Sequence, residues 1–217
     1  MRQKYLAGAT VVFDPRVEVL APPVAEDSMN VPVTIKVSEL PSIRRIIVIA
    51  DLNPIIKVLE FEPLQAMPRL SFRLKLQQAS PVRAMVETTD GVWHVGGVWI
   101  DAAGGGCTAP SVGRSTGNWA DTLNQVDSRA WQAGGISRIK LRIMHPMDTG
   151  LAPGIPAFHL QRLALRDDTG RDWARLSTFE PISENPMFSM EFDRETPALR
   201  LEGTDNNGNR VDVRIGR

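Results

Sequence analysis

The sequence predicts an all-β protein: two β-sandwich domains joined by a Gly-rich linker and a short helix. Three observations carry that prediction. Apolar residues alternate with polar ones at a period of two, most plainly in VPVTIKV (31–37) and SRIKLRIM (137–144). Turn signals built from Asp, Asn and Gly separate such runs, at Asp90–Gly91, in DDTG (167–170) and in TDNNGN (204–209). Prolines at 15, 22, 23, 32, 41, 54, 63, 68 and 81 interrupt any long helical reading of the first half.

In chain order, Val31, Val33, Ile35 and Val37 form one face of a half-buried strand. RRIIVIA (44–50) is a continuous apolar run suited to an interior strand, and LSFRLKL (70–76) alternates again through Leu70, Phe72, Leu74 and Leu76. VRAMVETTDGVWHVGGVWI then reads as a hairpin turning at Asp90–Gly91. Five to seven short strands in about 100 residues suggest a sandwich.

The composition changes at residues 102–117, AAGGGCTAPSVGRSTG, which read as a linker of small and helix-breaking residues. NWADTLNQVDSRAWQAGG (118–135) is the one good helix candidate. Asn118 would cap it, Trp119, Leu123, Val126 and Ala130 would share a face, and Gly134–Gly135 would stop it. Beyond it, SRIKLRIM, LALRDDTGRDWARL and the pair PALRLEG/RVDVRIG repeat the strand-and-turn style. The expected division is 1–107 for the first sandwich, 108–135 for the linker with its helix, and 136–217 for the second sandwich.

Charge narrows the function classes. Lys+Arg and Asp+Glu number 25 each, divided 11 and 11 up to Cys107 and 14 and 14 after it. Neither half is a polycation, so nucleic acid or an anionic membrane is not the expected partner. The longest apolar run, IIVIA at 46–50, is strand-sized and far below the ~18 residues of a membrane span. The start MRQKYLAGATVV contains no apolar stretch of signal-peptide length, which fits a cytosolic protein or a mature secreted one equally.

Cys107 is the single cysteine, so no internal disulfide and no cysteine-based zinc site can form. It follows Gly104, Gly105 and Gly106, whose backbone freedom would make a flexible arm. The glycines and Pro110 argue against burial in a strand and predict a thiol that protrudes. No Lys, Arg or His lies within six residues on either side, and Asp101 would, if anything, raise the thiol pKa.

The rivals are weaker. His94, His145 and His159 lack metal-ligand spacing, and structural or surface roles are the expectation. Trp93 and Trp99 are six apart and so would share a strand face, whereas Trp119, Trp131 and Trp173 are read as packing residues. Asp148, Asp167, Asp168, Asp205 and Glu184 fall in turn-like segments expected to face solvent. No paired carboxylate, Ser/His/Asp order or phosphate-binding loop stands out.

Several segments resemble the two subunits of the bacterial Sox sulfur carrier. VEVLAPPVAEDSMNVPVTIKV, IADLNP (49–54) and ETTDGVWHVGGVWIDAAGGGC are similar to SoxY, whose family ends in a Gly-Gly-Cys-Gly-Gly arm. IKLRIMHPMDTG (139–150), IPAFHLQRLALR (155–166), ISENPMFSMEF (182–192) and GTDNNGN (203–209) are similar to SoxZ. Here Cys107 is followed by Thr108, Ala109 and Pro110 instead of two glycines and a chain end, so the arm is tethered on both sides.

The resemblance implies two immunoglobulin-like sandwiches pairing within the chain, a periplasmic location, and a carrier that is not itself an enzyme. Cys107 would hold covalently bound sulfur species, with no other cofactor, and present them to separate Sox-type enzymes or c-type cytochromes. The resemblance also suggests the fused SoxYZ-like carriers, some of which accompany quinoprotein dehydrogenases. His145, inside the SoxZ-like motif, would order a loop or an interface. A rival of another class is a β-sandwich adaptor or chaperone for a periplasmic dehydrogenase, with Cys107 serving only a disulfide-linked homodimer. A thiol redox sensor is the third reading.

Overall fold

The computed structural model describes residues 8–111 and 119–216. The first half supplies β1 (Val11–Phe13), β2 (Val17–Leu20), β3 (Val24–Ala25), β4 (Val31–Val37) and β5 (Ile43–Ala50). It continues with β6 (Lys57–Glu62), β7 (Arg69–Leu74), β8 (Ser80–Thr88) and β9 (Trp93–Ala102). After α1 (Trp119–Thr122), the second half adds β10 (Val126–Ala133), β11 (Ile136–Ile143), β12 (Leu160–Asp167) and β13 (Asp172–Thr178). β14 (Met187–Phe192), β15 (Leu199–Asp205) and β16 (Arg210–Arg214) complete the fold.

Alternation sets which face each strand buries. Val31, Val33, Ile35 and Val37 of β4 all point into the core, as the period of two requires. The unbroken apolar run of β5 has two jobs. Ile46, Val48 and Ala50 enter the main core, whereas Ile47 and Ile49 join Met85, Trp93 and Val95 in a second cluster on the opposite face. All three turn signals hold: Asp90–Gly91 joins β8 to β9, 167–170 joins β12 to β13, and 205–209 joins β15 to β16.

Each half is a two-layer sandwich, and the halves meet edge to edge. One sheet runs β1-β9-β8-β5-β6-β13-β12-β15-β16, with β3 added beside β9; the other runs β10-β11-β14-β7-β4-β2. The junctions are antiparallel ladders, β6 with β13 (Phe61 opposite Leu176) and β7 with β14 (Ser71 opposite Ser189). Both sheets therefore pass from one half into the other, and Phe61, Leu74, Leu176 and Phe188 belong to a single hydrophobic cluster.

The helix expected over 118–135 is largely a strand. Only Trp119–Thr122 forms a helical turn, and Asn124 ends it at a φ of 62°. Asn118, the expected cap, lies outside the described residues. From Val126 onward the segment pairs along its whole length with β11, turning at Gly134 and Gly135 with φ values of 60° and 80°. These two glycines form a two-residue hairpin turn that needs positive φ at both positions. Tertiary pairing overrides the helical pattern here, because Val126 and Ala130, four apart, also share one face of a strand and pack against the core from it.

Candidate functional site

The glycine arm lies against the first half instead of extending from it. Gly104 N–H donates to Ser28 Oγ at 3.1 Å, Gly105 N–H to the Gln77 carbonyl at 3.0 Å, and Gly106 N–H to the Leu76 carbonyl at 3.0 Å. Such close approach requires glycine. A Cβ on Gly106 would stand 2.1 Å from the Ser28 carbonyl oxygen, and one on Gly104 would stand 2.6 Å from that of Gln77. In this conformation Gly104, Gly105 and Gly106 form a packed strap, not a free-swinging arm.

The strap delivers Cys107 into the protein. The thiol, expected to protrude, is 1% exposed. Its Sγ–H points at the Lys75 carbonyl at 3.8 Å, its N–H donates to Gln77 Oε1 at 3.2 Å, and its carbonyl accepts from Thr149 Oγ1 at 2.5 Å. Burial raises its pKa to about 11, opposed by the positive charge of Lys75. At neutral pH roughly one molecule in 10⁴ carries the thiolate in this seat. Asp101, suspected from the sequence, instead accepts from Trp99 Nε1.

Lys75 is the residue that sequence reading missed. Alternation points it outward with Arg73, yet it is 1% exposed, because the second half covers that side of the chain. Its N–H donates to the Pro181 carbonyl at 2.7 Å, and its ammonium donates to the Met147 carbonyl. Burial lowers its pKa to about 8, with Asp148, Cys107 and Glu184 pulling the other way, so it stays mostly charged at neutral pH. Asn53, from IADLNP, braces this stretch. Its Nδ2 donates to the Lys75 carbonyl at 2.8 Å, and its Oδ1 accepts from Gln77 N–H at 2.9 Å.

The motifs of the second half converge on the other wall. In HPMDTG, Thr149 holds the Cys107 carbonyl, the Asp148 carboxylate accepts from Ser111 N–H at 3.3 Å, and the Met147 carbonyl takes the Lys75 ammonium. ENP anchors the motif, since Asn185 Oδ1 accepts from His145 N–H at 3.1 Å and Asn185 N–H donates to the His145 carbonyl at 2.9 Å. In DNNG, Asn206 accepts from His159 N–H and donates to the Ala157 carbonyl, tying down the segment beside Phe158.

His145 links these pieces. Met147 N–H donates to its Nδ1 at 3.1 Å, which leaves the ring proton on Nε2, 3.5 Å from Asp205 Oδ2. Its ring also packs on Phe158, with centroids 4.5 Å apart. Burial pushes its pKa down to about 4, although Asp205 opposes the shift, so it is neutral at pH 7. The expectation that Asp148 and Asp205 face solvent is corrected. Both are buried, at 3% exposure, because they serve as backbone and side-chain acceptors within these loops.

The remaining candidates lie elsewhere. His94 Nδ1 contacts Asp14 Oδ2 at 2.7 Å, in a cluster with Arg16 beside β1. Among the described residues no His, Cys, Asp or Glu group is arranged to hold a metal ion. Trp93 and Trp99 do share a face of β9, but Trp93 is buried in the second cluster and Trp99 is 52% exposed beyond its end.

Two family models match separate parts of the chain. The family model for sulfur oxidation protein SoxY matches residues 2–107, and that for sulphur oxidation protein SoxZ matches residues 126–215. Among solved structures, the sulfur carrier protein SoxY from Chlorobium limicola f thiosulfatophilum is similar at 20% identity and a TM-score of 0.42, over 46% of this chain and 86% of that one. A superoxide reductase (neelaredoxin) from Ignicoccus hospitalis is similar at 23% identity and a TM-score of 0.34, over 40% and 79%. None of the curated proteins matches the sequence.

Proposed function

The chain is a SoxY domain and a SoxZ domain of the sulfur-oxidation carrier family fused in one polypeptide, and on that premise we propose that Cys107 is its covalent sulfur attachment point. The observation that carries the reading is the seat itself. The cysteine at the end of the SoxY domain is held by Thr149 and lies beside Lys75, which bonds to Met147, so both domains build its surroundings. The protein would act in the periplasm, as the family does, and would carry cargo without itself being an enzyme.

The chemistry needs a released thiol. In the seat, burial keeps Cys107 protonated; outside it, the pKa would return toward ~8.5 and the thiolate fraction at pH 7 would rise about a hundredfold or more. A sulfur anion such as thiosulfate would then form a sulfur–sulfur bond to Cys107. The thiol proton would go to solvent, and two electrons to an oxidising partner of the c-type cytochrome class. The strap is held by neutral hydrogen bonds, each with a net contribution of about 1 kcal/mol, so release is energetically accessible. Re-seating would shield the adduct, and the Lys75 ammonium would offset its negative charge.

Burial also favours a second reading, in which Cys107 is an inert structural thiol of a SoxYZ-like adaptor for a dehydrogenase. Intact mass spectrometry separates the two. The full chain, incubated with thiosulfate and the thiosulfate-oxidising c-type cytochrome of its host, should gain a reducible sulfur adduct that Cys107→Ser lacks. A chain that stays at its unmodified mass, with a thiol that alkylates only after unfolding, supports the inert reading and overturns the carrier.

A further inference from the structure

Although the chain is neutral, one of its faces carries more cations than acids. On the six-stranded sheet, the residues facing away from the core fall into rows running across the strands. One row is Leu20, Thr34, Ser71, Ser189, Lys140 and Arg129, in direct register. Within this face Lys36 is paired with Glu18, and Arg69 and Arg138 share Glu191. Arg73, Arg129, Lys140 and Arg142 are exposed and, among the described residues, have no carboxylate within salt-bridge distance. Asp127 is the one other acid on these rows, opposite Arg142.

The shape of the face suits contact. Thr34, Ser71 and Ser189 give a low floor to a groove of about 670 Å³, walled by Trp131 and Lys140 on one side and by Leu20 and Pro22 on the other. Six strands at ~4.8 Å spacing span about 24 Å, the scale of a protein contact and far wider than a small anion needs. The face also borders the Cys107 seat. Arg73 lies two residues before Lys75, and Arg142 pairs with Met187 just before the chain enters the loop carrying His145 and Thr149.

We propose that this face is the docking surface for an acidic protein partner that exchanges sulfur with Cys107. The proposal rests on the carrier reading for the partner's identity, but not for the binding itself. Unpaired cations beside the thiol would steer an acidic enzyme onto the end of the molecule where the strap opens. Trp131 and Leu20 would supply the apolar anchors of the contact. A lipid surface or nucleic acid fits less well, because Glu18, Glu191 and Asp127 are interspersed with the cations and the molecule carries no net charge.

The test measures association of the full chain with the thiosulfate-oxidising c-type cytochrome of its host, at 20 mM and 300 mM salt, by biolayer interferometry. The chain carries Cys107→Ser, so docking is measured without loading, and adduct formation on the native chain reports the carrier reading separately. Combined Arg73→Glu, Lys140→Glu and Arg142→Glu should slow association about tenfold or more at low salt and remove most of its salt dependence. Arg162→Glu, an exposed cation on the other sheet, should leave the rate unchanged. Equal rates for the triple variant and the parent, equal loss with Arg162→Glu, or no association of the parent at all would overturn the proposal. So would charge-dependent binding of the parent to phosphatidylserine vesicles or duplex DNA with the cytochrome ignored.

Discussion

The Cys107 thiol points at the backbone carbonyl of Lys75 across 3.8 Å, and the ammonium of the same lysine is the charge that opposes the rise in its pKa. Thirty-two residues separate the two along the chain. A buried thiol beside a buried cation is a poised arrangement, in which each group sets how readily the other holds its proton.

Lys75→Met should therefore slow Cys107 alkylation at pH 7 to 8, where the ammonium, with its pKa of about 8, still carries much of its charge. The thiol pKa is raised in the fold, so its contribution to stability is present below about pH 9 and is lost as the pH rises through about 11. Iodoacetamide labelling rates of folded protein between pH 7 and 8 would show the slowing, and equal rates in the two proteins would separate the lysine from the thiol.

Gly106→Ala should unseat the strap. The added methyl would lie 2.1 Å from the Ser28 carbonyl oxygen and 2.8 Å from that of Leu76, and backbone there cannot give way cheaply. We expect Cys107 to alkylate about tenfold faster or more at pH 8, while the far-UV spectrum stays that of a β-protein. Gly105, with nothing within 4 Å of its Cβ position, should respond less to alanine despite its φ of 81°.

Thr149→Val removes the hydroxyl that holds the Cys107 carbonyl while keeping the side-chain shape. A lost hydrogen bond of about 1 kcal/mol corresponds to roughly a fivefold rise in the open population. Hydrogen exchange at Gly105 and Gly106 should rise by that factor, with amides in β4 unchanged.

His145 makes the second-half loops sensitive to acid. Its folded pKa of about 4 lies below the ordinary 6.5, so the unfolded chain binds the extra proton between those values. The contribution of the neutral imidazole is fully present above about pH 6.5 and is lost progressively as the pH falls through 4, on the order of 3 kcal/mol in all. Melting temperature should drop across that window, and His145→Gln should flatten the drop. A wild-type melting temperature that is level from pH 7 to 4 would refute the assignment.

Strand positions were readable because a period of two needs only local information. β4 spans the predicted 31–37, and all three predicted turns connect strands. The segment after Asn124 misled, because Val126 and Ala130 fit a helix face and a strand face alike, and only the ladder with β11 decides between them. Trp93 and Trp99 show the same limit, since their shared face was foreseeable but the cover over just one of them was not.

The sequence by itself determined the two-half organisation, the strands and turns, the single thiol and the motifs that mark SoxY and SoxZ. It could not determine the state of that thiol. Glycines before a cysteine are compatible with a loose arm or with a backbone packed too closely for any Cβ, and the neighbours at Ser28 and Gln77 decide for the second in this conformation. Burial, the charge of Lys75 and the grip of Thr149 arise only where two edge-joined halves close around residues distant in sequence. Local pattern specifies elements; protonation and access depend on what the rest of the chain places against them.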